Sequence, residues 1–265
     1  MVAGIGLEIS FLSAIFGAME LLSTVDIILI CLVIFSGAFT QSILGFGGNF
    51  ISVGILALWL PAQNVIVLLA AVFAVNNILL ILLNRRGIRW QYLQKIVVLV
   101  LIGGGIGAFI LPQLSPTLIY ILLGITIIGL NVLQYFRRES QTQSLPKIAN
   151  TGLLFSGGLI QGAIGTGGPL IVTVLAATIR STLAFRGTAN VIFFLLNGGR
   201  TVLYIEQNLF TPEMWNVALF GMGTVVIAAI IGHRFALEIP DIYLRRAVTG
   251  FLIIIGIALL GKAIF

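Results

Sequence analysis

Two stretches of this chain carry the same uncommon residues at the same spacing. Gln41, Gly45, Gly47 and Gly48 recur 120 residues later as Gln161, Gly165, Gly167 and Gly168, giving a Gln-x-x-x-Gly-x-Gly-Gly pattern twice. Glycines at that density let a chain turn where other residues avoid the backbone angles. A helix restarting after the turn aims its unpaired N–H groups and the positive end of its dipole back at the break. An anion can be held there without a full positive charge. Pro169, directly after the second copy, suits the first turn of such a helix. The first copy has Asn49 at that place.

Amides stand at matched positions around both breaks. Gln41 pairs with Gln161, and Asn77 with Asn197 at the same offset. Two such pairs can donate to the oxygens of an oxyanion from both sides; the competing role is to tie neighbouring helices together, at about 0.6 kcal/mol each in a bilayer. Arg200 lies well inside an apolar run, where basic side chains face a cavity or a partner. An anionic substrate has the right sign, and the alternative is snorkelling to the outer headgroups, because Glu206 is close by. The candidate substrate-binding set is Gln41, Gly45, Gly47, Gly48, Asn49 and Asn77 with Gln161, Gly165, Thr166, Gly167, Gly168, Asn197 and Arg200. No catalytic or metal-ligating set is expected, and no cofactor.

The elements that position these residues must lie in a membrane. Of 265 residues, 59% are hydrophobic and 8% charged, with a mean hydropathy of +1.17. Soluble domains carry about 25% charged residues. The net charge of +6 resides in short loops between apolar runs, the pattern of topology signals and not of a nucleic-acid surface. Cys31 is the single cysteine and His233 the single histidine, which excludes a disulfide framework within the chain and argues against a structural metal site. The segment 1–25 has no Lys or Arg before its apolar stretch and reads as an interfacial or partly inserted helix bearing Glu8 and Glu20, not a cleavable signal peptide. Glu20 is a candidate proton relay, Asp26 a helix N-cap, and His233 with Arg234 an interfacial pair.

Apolar stretches run at about 26–60, 65–83, 95–111, 117–136, 148–179, 188–205, 215–232 and 243–264. Most match the ~20 residues of one crossing. The first and fifth are too long for one and hold the glycines near their middle, so each goes in and returns, as two short helices or a re-entrant hairpin. Glycines 103–107, with Gly124 and Gly129, read as packing faces.

Basic residues fix the orientation. Arg85, Arg86, Arg89 and Lys95, then Arg137, Arg138 and Lys147, mark two cytoplasmic loops, with an uncharged 112–116 connection between them. In the second half, the loops holding Arg180 and Arg186, and then His233, Arg234, Arg245 and Arg246, are basic, whereas 206–213 is acidic. Aligning the motifs sets that acidic loop opposite the basic 84–95 loop, so the second half is upside down. The expected fold is an all-α integral membrane protein of two inverted-topology repeats, 26–137 and 148–265, joined by a cytoplasmic linker at 138–147. Each repeat has a glycine-broken hairpin or re-entrant segment followed by three transmembrane helices, about 8–10 membrane segments in all.

The motif pair, the asparagine helices after each copy and the two-half layout resemble the sulfite exporter TauE/SafE family from about residue 26 onward. The resemblance implies transport of small sulfur-containing anions such as sulfite, sulfonates, sulfoacetate or hypotaurine-like compounds. Asn49 against Pro169 departs from strict symmetry. The expected function is therefore a secondary transporter in the cytoplasmic membrane, multi-pass, working by alternating access. Its partners would be a small anionic substrate, membrane lipids and a coupling ion, proton or sodium, that the sequence does not name; assembly as a homo-oligomer is compatible with the chain. An anion channel is the first alternative, and an intramembrane enzyme would need a constellation that His233 alone does not supply. A Walker-type loop that would mark a pump is absent from the sequence.

Overall fold

A computed structural model describes residues 23–137, 146–235 and 241–264. Glu8, Glu20 and most of the 138–147 linker lie outside the described residues. The described chain is helical: α1 (Thr24–Leu44), α2 (Gly48–Leu56), α3 (Ala62–Asn84), α4 (Trp90–Ile110), α5 (Pro116–Arg137), α6 (Lys147–Ile164), α7 (Gly168–Thr178), α8 (Thr182–Glu206), α9 (Pro212–Phe235) and α10 (Asp241–Ile264). Four helical segments, Thr24–Leu44, Ala62–Gly87, Trp90–Gln113 and Pro212–Phe235, are long and apolar enough to cross a membrane. Large apolar side chains such as Ile102, Phe109, Ile125, Phe220 and Ile257 are exposed. An aqueous surface disfavours such patches and lipid favours them; the chain is an integral membrane protein.

Both glycine motifs break a helix. The α1 helix ends at Gly45, whose N–H donates to the Gln41 carbonyl at 2.7 Å, and α6 ends at Gly165, whose N–H donates to the Gln161 carbonyl at 3.0 Å. Both glycines have left-handed backbones, φ +84° and +76°, which glycine adopts without strain. The chain then folds back. Ser52 Oγ donates to the Val33 carbonyl at 3.4 Å, laying α2 antiparallel along α1. A Cβ at Gly157 would lie 2.8 Å from Ile171, which does the same for α7 on α6. The return helices have 9 and 11 residues, about 14 and 17 Å at 1.5 Å per residue, half a hydrocarbon layer.

Packing between the halves pairs α3 with its match α8 and α5 with its match α10, and the contact of α4 on α6 has its counterpart in that of α9 on α1. The α4–α6 contact is built by small residues. A Cβ at Gly162 would sit 2.0 Å from the Gly104 carbonyl oxygen, and one at Gly107 2.1 Å from that of Leu159, so the backbones touch as small-xxx-small faces do in bilayers. The α3 and α8 helices run antiparallel: Gly187 abuts the Asn84 carbonyl, and Asn77, earlier on α3, shares Gln41 with Asn190, later on α8. The α5 and α10 helices are antiparallel too, Gly124 meeting Leu260 and Gly256 meeting Ile128. Lys262 Nζ donates to the Ala57 and Leu58 carbonyls at 3.2 and 3.1 Å, tying the far end of α2 to α10, and lies 4.8 Å over the Tyr120 ring.

Three local expectations change. Asp26 is not the N-cap of α1; Ser23 is, and Asp26 closes a capping box by accepting from the Ser23 N–H at 2.9 Å. Gly129 packs on nothing within 4 Å, unlike Gly124. Arg186 is not in a loop: α8 begins at Thr182, and its second turn carries Arg186 into the interior.

Candidate functional site

The two breaks meet around one small, partly open pocket lined by Gln41, Gly47, Asn49, Phe50, Gln161, Gly165, Gly168, Pro169, Phe193 and Asn197. Seven of these are among the residues singled out from the sequence. Of the others singled out, Gly45 and Asn77 stand behind Gln41, and Gly48, Thr166 and Gly167 belong to the breaks themselves. Arg200 flanks Gly165.

The amides are mutually bonded. Gln41 Nε2 donates to Asn77 Oδ1 at 2.6 Å and to Asn190 Oδ1 at 3.1 Å. Gln161 Nε2 donates to Asn197 Oδ1 at 3.4 Å, while its Oε1 accepts from the Gly168 N–H at 3.0 Å. The matched Gln–Asn pairs thus do form, but both glutamines give their donors to asparagine carbonyls. Asn77 Nδ2 and Thr166 Oγ1 are buried and have no hydrogen-bond partner among the described residues.

Asn49 crosses between the motifs. From the first turn of α2, its Nδ2 donates to the Gly165 carbonyl at 3.0 Å. On the other side of Gly165 stands Arg200, only 2% exposed, which rules out snorkelling. Its Nη1 donates to the Gln161 carbonyl, near the C-terminal, negative end of α6, where a cation is favoured. Its Nε and Nη2 have no partner among the described residues. A Cβ on Gly165 would find Asn49 Nδ2 at 2.8 Å and Arg200 Nη1 and Nη2 at 3.0 and 3.3 Å; three donor nitrogens from two halves converge there, in space that only glycine leaves open. Tyr204, one turn further, donates to the Gly162 carbonyl at 2.9 Å.

Sequence reasoning missed Asn190, Arg186 and the cavity walls Phe50 and Phe193. The signal was present: Arg186, Asn190, Phe193, Asn197 and Arg200 alternate at spacings of four and three, which places them on one face of α8, and all five are buried. Arg186 packs against Gly45, the end of the other broken helix. Among the described residues no three of His, Cys, Asp and Glu gather into a metal-binding group.

Comparison with known proteins bears on this geometry. The family model for the sulfite exporter TauE/SafE matches residues 29–259. The chain is 28% identical over 186 residues to a probable inner membrane transporter protein TsaS of Comamonas testosteroni, covering 67% of this chain and 74% of that one. It is 25% identical over 240 residues to a probable sulfite/organosulfonate exporter TauE of Cupriavidus necator, covering 86% and 91%. No solved structure matches the chain significantly.

Proposed function

Because this chain belongs to the sulfite exporter TauE/SafE family, we propose that it is a secondary transporter of a small sulfur-containing anion of the sulfite, sulfonate, sulfoacetate or hypotaurine class. Family membership makes it a membrane transport protein and not an enzyme, and the inner membrane named for one relative is the membrane we assign to it. The carrying observation is the pocket: two glycine-broken helices line one space, and the buried Arg200 guanidinium lies against Gly165 at its wall. Burial sharpens the attraction of such a group for an anion.

We further propose that the halves, 26–137 and 148–265, are inverted repeats that alternate access to this cavity. The antiparallel course of the matched pairs α3/α8 and α5/α10 supports this. A two-fold relating antiparallel helices lies perpendicular to them, hence in the plane of a membrane that they cross. The charges agree. The connections at 57–61, 111–115 and 207–211 carry no Lys or Arg, whereas those near 85–89, 137–147, 180 and 234–246 carry most of the basic residues. Cysteines introduced singly at 207–211 should react with an impermeant reagent from outside and those at 85–89 only from inside; both sets reacting from one side would refute the inversion. Alternating access itself is tested by counterflow in proteoliposomes. Labelled sulfite uptake should saturate and be accelerated by unlabelled sulfite inside, and unsaturated flux without that acceleration would replace the transporter by a channel.

A further inference from the structure

The two restarted helices differ at their first turns. In α7 every early N–H is spoken for. Gly168 N–H goes to Gln161 Oε1, Pro169 has none, and Leu170 N–H goes to the Gly167 carbonyl at 3.1 Å. In α2 the first bonded N–H is that of Ile51, to the Gly47 carbonyl at 3.0 Å; Gly48, Asn49 and Phe50 donate to nothing among the described residues, and no side chain caps the helix. The space differs in the same sense at the glycine before each restart and in the opposite sense at the next, where a Cβ at Gly48 would lie 2.6 Å from the Gly37 carbonyl oxygen and one at Gly168 no nearer than 3.4 Å to any atom. A Cβ at Gly167 would lie 2.0 Å from the Gly157 carbonyl oxygen, whereas one at Gly47 would meet nothing within 4 Å. Gly47 takes a left-handed φ of +93°, and Gly167 an ordinary −74°.

We propose that the substrate anion is held on one side only, by the free N–H groups of Gly48, Asn49 and Phe50 at the start of α2 together with the unpaired edge of Arg200. The start of α7 lines the same cavity, but its N–H groups are already bonded or, at Pro169, absent. Asn49 and Phe50 line the cavity, and the buried Arg200 guanidinium reaches its edge at Gly165, where Asn49 arrives from the other side. Two donors of different kinds, a helix N-terminus and a fixed cation, are directed at one oxyanion, and neither is matched in the second copy. Gln161 is on this account the resident acceptor for α7, a carbonyl oxygen doing there what the anion does at α2. The inference rests on the transport reading in taking a small oxyanion as the substrate.

Exchanging the two marker residues tests it. Sulfite binding to the detergent-purified full chain is measured by calorimetry for the unaltered protein, Asn49→Pro, Asn49→Ala and Pro169→Asn, with folding followed by thermal unfolding without sulfite. Asn49→Pro removes the central N–H and should weaken binding at least tenfold. Asn49→Ala keeps it and should lose at least threefold less than Asn49→Pro. Pro169→Asn adds an N–H at a restart that lines the same cavity but takes no part in the one-sided site, and should not tighten binding. Should Asn49→Pro not fold, Pro169→Asn still decides, because two equivalent sites predict a several-fold tightening there. A several-fold tightening in Pro169→Asn, or Asn49→Ala as weak as Asn49→Pro, overturns the one-sided site. Failure of the unaltered protein to bind sulfite, sulfate or sulfoacetate overturns the transport reading as well, so the two failures are told apart.

Discussion

The α3 and α8 helices sit at matched places in the two halves and present the same buried face to the centre, yet only one of them carries charge. On α8 that face reads Arg186, Asn190, Phe193, Asn197 and Arg200; the positions 120 residues earlier on α3 are Ile66, Ala70, Phe73, Asn77 and Leu80. The phenylalanine and the inner asparagine are kept, and both asparagines accept from the glutamine of their own half. The two arginines and the outer asparagine are replaced by apolar residues. The matched glycines break a helix in each half, whereas the buried arginines belong to α8 alone among these two faces. Burying a cation costs several kcal/mol, and doubling the arginines would add that cost again without the α6 carbonyl that receives Arg200.

The comparison is sharpened first at the breaks. Gly167→Ala forces a Cβ onto a backbone carbonyl that cannot yield and should destabilise by about 3 kcal/mol, whereas Gly47→Ala meets only left-handed backbone strain of about 1–2 kcal/mol. Thermal or denaturant unfolding in detergent compares the two, and equal losses would erase the distinction between a packed and an open break. Next, Arg200→Met should lower sulfite transport in proteoliposomes about a hundredfold, a loss of about 2.7 kcal/mol. Arg200→Lys should not restore it, since one ammonium cannot hold the Gln161 carbonyl and offer a second donor edge together. Full rescue by lysine would reduce Arg200 to a point charge. The smallest contrast is between the glutamines. Gln41→Ala leaves two buried acceptors without their short bonds and should cost about 2 kcal/mol, against about 1 kcal/mol for Gln161→Ala, whose bond to Asn197 is long. The reverse order in unfolding measurements would show that the amide network is weighted toward the second half.

Much of this architecture was legible in the residues. Glycine density inside apolar runs located both breaks, because few other residues let a membrane-embedded helix turn, and the shared 120-residue offset located the glutamine–asparagine pairs. Basic loops gave an expected side for each connection, which the cysteine labelling tests. What was hidden depends on rotamers and exact helix starts. Arg186 follows Arg180 closely enough to look like part of the same loop, and only the start of α8 at Ser181–Thr182 turns it inward. Asp26 resembles a cap until Ser23, three residues earlier, is seen to hold the capping position. That Gln161 spends its oxygen on Gly168 while Gln41 spends its amide on two asparagines cannot be read from two identical letters; it follows from what Asn190, present on α8 and replaced by Ala70 on α3, offers to one glutamine and not to the other.

The central claim, a small sulfur oxyanion held between the two breaks, is met most directly by thermal unfolding of the purified protein across a panel of sulfite, sulfate, taurine, hypotaurine, sulfoacetate and an aromatic sulfonate. Ligand that binds only the folded state stabilises by mass action, about 2.7 kcal/mol at a hundred times Kd. The account predicts saturable stabilisation by at least one small sulfur anion, lost in Arg200→Met. No stabilisation by any of them, or stabilisation that Arg200→Met leaves intact, would contradict it.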